Sequence, residues 1–446
     1  MHDRPTPSTF HLPDDIHYDC IRCGFGCGLS WCGRDWFVEV TEEEAERILK
    51  MPAEDLGEAR APHHPVYREA RAGGRHAMRM ENGVCCMLTQ QNLCAIHAAY
   101  GEGAKPNTCR SFPFRLVATP GGVFVGVSFM CTAVVNNQGR LLTEHRDAIE
   151  AMHRWTRSRR RVEEPMHLST ELPLSWPQYK SMEADLADLM DPALGPLGER
   201  LLLQAIYLRL LLKFLREARQ QAGAAAAGPD GHAQPLEIFR ARVRKSPERP
   251  WALLRNLAAR RRPRPLLRRL FLGYCHAARN VLGRRRNKLA AASLLISKYI
   301  QHVLALGRIE LPFLDRPVPY RRLRRIVFDP AQPEHDALLT RYFRHCLFRK
   351  DLLLEESIVF GIDMLLLRWG MIHWYAAATA AAAGHATVTP SDLREALRTV
   401  ERFFGYHSDF SSIFRDHPYL RSITDRMFEH PLYAFSLARG EWWRSQ

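Results

Sequence analysis

Cys20-Ile-Arg-Cys23-Gly-Phe-Gly-Cys27-Gly-Leu-Ser-Trp-Cys32-Gly33 decides how the rest of the chain is read. Four thiols fall within thirteen residues, with Gly24, Gly26 and Gly28 between them and Gly33 just after. Wrapping a chain around an ion needs tight turns and positive φ, which glycine supplies at little steric cost. A C-x2-C pair followed by further cysteines is metal-ligand spacing. The same glycines spell G-x-G-x-G, but no buried strand precedes them and no helical pattern follows, so a nucleotide-binding loop is rejected.

Nine of the eleven cysteines lie in the first 131 residues: these four, then Cys85, Cys86, Cys94, Cys109 and Cys131. Cys275 and Cys346 stand alone on helical patterns and read as small core residues. The N-terminus has no apolar run and no small-residue cleavage site, so no signal peptide and a cytoplasmic, reducing setting are expected. There, clustered thiols serve as metal ligands or redox centres rather than disulfides.

Moving outward, Asp35–Val40 alternates as a short strand, and Thr41 with Glu44 forms a capping box for a helix to about Lys50. Residues 52–75 read as one long loop holding His63 and His64, taken as exposed loop histidines. His76–Met80 and Val84–Leu88 flank Glu81-Asn82-Gly83 as a hairpin. On such a strand Cys85 and Cys86 should face opposite ways. Cys94 opens a short helix, and Phe114–Thr119 pairs with Val123–Phe129 across Pro120-Gly121-Gly122, placing Cys131 at the hairpin's end. The pattern then turns helical: Gly198–Gln221, and stretches near 235–245, 250–260, 264–282, 287–307, 334–349, 353–383, 391–404 and 420–440. Residues 157–195 look polar and proline-spaced, with a short amphipathic stretch at Ser181–Met190, and a flexible linker is expected near 221–233. The expected fold class is α+β: a small cysteine-rich metal-binding domain with short β-hairpins over 1–146, followed by a mostly α-helical region over 147–446.

The formal charge is +15, yet only eight of the 63 basic residues are lysines. Arginine runs at 157–161, 260–264 and 284–286 carry no interleaved aromatics and no reader motif, so nucleic acid is not an expected partner. The apolar run Ile358–Ala383 is interrupted by Asp363, Arg368 and His373. A charge at mid-membrane is costly, so this is a buried core helix and no membrane span is expected.

The run Cys86-Met-Leu…Cys94-Ala-Ile-His97…Cys109-Arg110-Ser-Phe112-Pro113-Phe114 resembles the YkgJ-type cysteine-cluster family, a zinc- or iron-chelating family. The opening cluster followed by Trp36-Phe-Val and an acidic helix is similar to its flagellin lysine-N-methylase branch. Glu401-Arg-Phe-Phe-Gly-Tyr-His407-Ser, and Tyr342, share that likeness. The resemblance implies eight metal ligands: Cys20, Cys23, Cys27, Cys32, Cys86, Cys94, Cys109 and Cys131. Cys85 has no counterpart in the pattern, and Cys27 and Cys32 stand five apart where the family has adjacent cysteines. All-thiolate ligation suits zinc or an iron–sulfur cluster (4Fe-4S), in one site or two.

The implied activity is transfer of a methyl group from S-adenosylmethionine to a lysine of a flagellin-like protein substrate. Tyr342, Glu401 and His407 are the catalytic candidates it suggests. The competing expectations are a non-enzymatic, metal-stabilised protein-interaction module and a redox or metal-handling protein.

Overall fold

The computed structural model describes residues 9–23, 38–56, 65–69, 75–81, 84–156, 160–222, 229–245, 317–355 and 357–405, and a few positions between 297 and 309. Cys27, Cys32, His63, His64, Cys275 and His407 lie outside the described residues. So do the helical stretches expected near 250–260, 264–282 and 420–440, most of 287–307, and the arginine runs at 260–264 and 284–286. The fold is α+β, with helix dominating toward the C-terminus. The chain divides into two compact units, one of residues 10–116 and 125–159, the other of 1–9, 117–124 and 160–446.

The first unit is built from short elements. Strands β1 (Phe10–His11) and β2 (His17–Tyr18) lead in, and β3 (Glu39–Val40) precedes α1 (Glu42–Leu49). The capping box is present: Thr41 Oγ1 accepts from Glu44 N at 3.2 Å and Glu44 Oε2 from Thr41 N at 2.8 Å. Ala45 and Ile48 turn the apolar face of α1 inward. Residues 52–75, expected as loop, contain β4 (Val66–Glu69), which pairs with β5 (Arg75–Met78). Because β5 is held by β4 and β3, the hairpin expected at 76–88 survives only at its tip, between β6 (Met80–Glu81) and β7 (Val84–Cys85). Helices α2 (Ala95–Tyr100) and α3 (Asn107–Ser111) follow. Strands β8 (Phe114–Thr119) and β9 (Gly122–Val127) form the second hairpin, expected across Pro120-Gly121-Gly122. Then come α4 (Thr132–Val135), β10 (Arg140–Leu141) and α5 (Arg146–Trp155).

The second unit takes the outer half of that hairpin. Strand β11 (Arg160–Arg161) runs parallel to β8, with Arg160 opposite Val117. Gly121 at the turn is needed because a Cβ there would collide with the Trp176 indole. Residues 157–195, read as polar and proline-spaced, hold the hairpin β12 (Met166–Ser169) and β13 (Leu172–Leu174), then α6 (Trp176–Asp188), which takes in most of the amphipathic stretch Ser181–Met190. Leu168, Leu172 and Leu174 are fully buried, so the proline spacing concealed an apolar two-strand pattern. Helix α7 (Leu197–Ala222) is followed by a 3-10 turn at Pro229–His232 and by α8 (Ala233–Lys245). Strands β14 (Arg308–Ile309) and β15 (Val318–Pro319) pair antiparallel ahead of the short α9 (Tyr320–Leu323).

Helices α10 (Pro333–Phe348), α11 (Ile358–Ala383) and α12 (Pro390–Phe404) complete the described chain. Helix α11 is the axis of this unit, packing on α12, α7 and β12. Ser357 caps its N-terminus and Gly384, at φ +91°, ends it in the left-handed region. Its charged residues are buried with partners: Asp363 accepts from Arg209 Nη2 at 2.9 and 3.0 Å, and Arg368 Nε donates to Phe404 O at 3.0 Å. No helix among the described residues is long and apolar enough to cross a membrane.

Candidate functional site

Cysteines distant in sequence gather at two places in the first unit. At the first, β2 pairs with β10, Tyr18 opposite Arg140. Asp19 reinforces the pairing, accepting from Arg140 N and from its guanidinium, both at 2.9 Å. His145 Nε2 lies 2.7 Å from the Tyr18 carbonyl. This clamp carries residues 20–23 to the start of α4, where the Cys23 thiol donates to Thr132 Oγ1 at 3.4 Å. Cys131 is the N-cap of α4. Burial pushes its thiol up to about 11, against the pull of the Val134 and Ala133 amides, and the neighbouring Cys23 and Cys20 push the same way. Tyr18 is raised first by burial and then by Cys131 and Cys20. Three of the predicted ligands, Cys20, Cys23 and Cys131, are therefore neighbours across more than a hundred residues of chain.

The second place is an apolar core of Val38, Val40, Ile48, Met78, Met87 and Ile96. Cys86 is inside it at 1% exposure, and Cys85, Cys94 and Cys109 pack against it from the side. The expectation that Cys85 and Cys86 face apart is corrected here. Strand β7 ends at Cys85, so Cys86 sits in a turn and the alternation of a strand no longer applies. The Cys86 thiol donates to Pro65 O at 3.7 Å, and the Cys85 thiol bonds toward the Cys86 sulfur, which raises Cys85 most, ahead of burial. Cys94 occupies the N-cap position of α2; burial raises it, the His97 amide opposes, and the neighbouring Cys85 pushes it the same way as burial. Ala95 N donates to Met87 O at 2.8 Å, stitching the start of α2 to the Cys85–Cys86 turn.

Cys109 arrives on α3, whose placement depends on Glu44. The second carboxylate oxygen of Glu44, left over from the capping box, accepts from Asn107 N at 2.9 Å. Thr108 Oγ1 donates to Glu39 O at 2.8 Å. Among the described residues no three His, Cys, Asp or Glu side chains stand close enough to hold one ion.

Tyr342 and Glu401, 59 residues apart, meet in the core of the second unit: Tyr342 Oη donates to Glu401 Oε2 at 2.8 Å. Arg349, a residue the sequence did not single out, donates to Glu401 Oε1 at 2.5 Å and pairs with Asp351 at 2.6 Å. All atoms of the Tyr342 and Glu401 side chains are buried. Burial alone would raise Glu401, but Arg349, Arg368 and Tyr342 together hold it at about 2. Tyr342 is pushed far above the ordinary phenol range, chiefly by burial. A carboxylate this acidic is a weak base, and a phenol this raised keeps its proton. The bond between them ties α10 to α12.

A second buried charge was likewise not legible in the sequence. Lys350, 2% exposed, follows α10 with φ +61° in the left-handed region, where glycine is usual. Its ammonium pairs with Glu183 and lies 4.4 Å from the Phe124 ring centre, with Phe348 and Tyr179 beyond. Burial brings Lys350 down to about 8 despite Glu183.

Comparison of the chain with protein families, with curated proteins and with solved structures returned no match.

Proposed function

We propose that the protein is a cysteine-ligated metalloprotein, holding zinc or an iron–sulfur cluster through thiolates of residues 20–131. One observation carries this reading: thiols scattered over 112 residues of sequence collect at two places, and no described one is spent in a disulfide. Two of them, Cys94 and Cys131, occupy helix N-cap positions, where neighbouring amides pull toward the thiolate against the burial that raises both thiols. A bound zinc ion would fix the fold of the first unit, and a cluster would add redox capacity.

The activity we propose is the one the family resemblance implies, S-adenosylmethionine-dependent methylation of a lysine on a protein substrate, flagellin being the first to try. A lysine amine must be neutral to accept a methyl group, and its ordinary pKa is about 10.4. The candidates for the group that takes the proton are Tyr342, Glu401 and His407, and alanine at each should abolish methyl transfer while leaving metal content intact.

The test has two stages. Protein purified without oxygen is analysed for zinc, iron and acid-labile sulfide, and its visible spectrum is recorded. It is then supplied with methyl-labelled S-adenosylmethionine and flagellin. Stoichiometric metal with label in lysine supports the whole proposal. Metal without methyl transfer removes the enzymatic half, and folded protein with neither zinc nor iron removes the proposal altogether.

A further inference from the structure

The family pattern leaves Cys85 without a counterpart, and the fold sets it against its neighbour in the chain. Strand β7 ends at Cys85, and Leu88 N donates to Cys85 O at 2.9 Å, closing a four-residue turn. Cys86 N donates to Arg79 O at 3.1 Å, which fixes the second residue of that turn. The Cys86 thiol is 1% exposed and donates to Pro65 O at 3.7 Å, so its sulfur keeps its lone pairs for an acceptor role. The half-buried Cys85 thiol bonds toward that sulfur. Consecutive side chains of an extended strand would point apart. Here the turn leaves the two sulfurs joined through a proton.

We infer that Cys85 and Cys86 are a redox modification site, closing to a disulfide between adjacent residues when the chain meets a small disulfide of the glutathione class. The inference stands on the thiol pair and does not need the metal-binding reading. The Cys85 sulfur attacks one sulfur of the small disulfide, whose other half leaves as a thiol carrying the Cys85 proton. The Cys86 sulfur then attacks the Cys85 sulfur of the mixed disulfide, and the second half leaves as a thiol with the Cys86 proton. The protein is oxidised by two electrons, and one small disulfide is reduced to two thiols. The fold divides the roles. Cys85 has the open side that an oxidant can reach, whereas Cys86 is too buried to meet one and is reached from Cys85. A sulfur already held in place turns the second collision into an intramolecular step. The bond to Cys86, and burial after it, raise Cys85, so its attack is slow and the pair answers to a sustained excess of oxidant. Consecutive Cα atoms lie about 3.8 Å apart, closer than the roughly 4.4–6.8 Å of ordinary disulfides, so the bond is strained and readily reduced. A disulfide of that kind is a reversible mark, not a staple. Closure removes the donor from Pro65 O and excludes a metal from Cys86.

Thiol labelling of the full chain tests this. Protein purified anaerobically, its zinc and iron measured, is treated with a strong chelator and an excess of oxidised glutathione. Free thiols are then capped with iodoacetamide, and the protein is cut with trypsin and chymotrypsin for mass spectrometry. Expected is joint loss of label from Cys85 and Cys86, in a peptide lighter by its two thiol hydrogens, with label restored by dithiothreitol. Glutathione retained on Cys85 with Cys86 labelled, a crosslink from Cys85 to Cys94, or full labelling of both would each overturn the inference. Cys86→Ser should trap glutathione on Cys85, and Cys94→Ser should leave closure unchanged. In concentrated urea the pair should carry glutathione instead of closing, because the turn no longer holds the sulfurs together; equal closure there would overturn the role assigned to the fold. The metal measured beforehand decides the metal-binding reading whichever way the thiols behave. If Cys86→Ser does not accumulate as folded protein, the peptide masses of the unaltered chain still separate these outcomes.

Discussion

Glu401 illustrates how one residue can be fixed by its partners rather than by its chemistry. A buried carboxylate without partners would stay protonated near neutral pH, whereas here Arg349 and Tyr342 keep it charged and acidic. Its pKa in the fold lies below the ordinary 4.5, so the unfolded chain binds the extra proton on acidification. The stability it contributes is complete above pH 4.5 and is lost as the pH falls toward 2. Glu401→Gln leaves Asp351 as the carboxylate paired with Arg349 and should cost about 3 kcal/mol at pH 7. In urea titrations the gap to the unaltered protein should narrow below pH 4.5; an unchanging gap would mean the charge is not what matters. Lys350 runs the opposite way. Its pKa of about 8 lies below the ordinary 10.5, so between those values the unfolded chain holds a proton the folded chain has released. Stability should therefore rise with pH across that window by up to about 3 kcal/mol. Lys350→Met should flatten that rise, as unfolding free energies at pH 7 and pH 10.5 would reveal.

At the level of elements, helix ends organise the cysteine unit. Its helices are too short to stand by propensity alone, so capping and packing decide where they form. Glu44 closes the capping box of α1 and also accepts from the first amide of α3. Glu44→Ala removes both bonds and should lower stability by about 2 kcal/mol, read from the urea midpoint. It should also speed alkylation of Cys109 in chelator-treated protein, because α3 loses its anchor. Thr41→Ala removes only one acceptor and should cost about 1 kcal/mol, leaving Cys109 unaffected. Equal effects of the two substitutions on Cys109 would show that Glu44 acts through α1 alone. The turn after β7 is the other decisive element, since one more residue of strand would have sent Cys86 away from Cys85.

Across the whole molecule, the two units gain stability from different sources. The second has a large apolar core around α11, with Trp369 and Trp374 buried, each contributing roughly 2–3 kcal/mol. The first has short strands and helices and a smaller core, so a metal would add to it what packing does not. Chelation should therefore raise amide exchange in residues 10–116 and 125–159 and leave α7, α10, α11 and α12 protected. Equal loss of protection in both would show that the second unit depends on the first. The sequence by itself determined the local features: the capping box at Thr41 and Glu44, the hairpin across Gly121, the long helices, and the buried nature of Ile358–Ala383 with its three polar residues. These follow from periodicity and from side chains acting on their own backbone within a few residues. Only the tertiary structure decided that β4 takes β5 away from the expected hairpin and that residues 117–124 count with the second unit. It alone joined Tyr342 to Glu401, brought Cys131 to Cys20, and placed Cys85 beside Cys86. Each of these is a contact across a long stretch of chain or a turn ending one residue early, and pattern along a sequence carries neither.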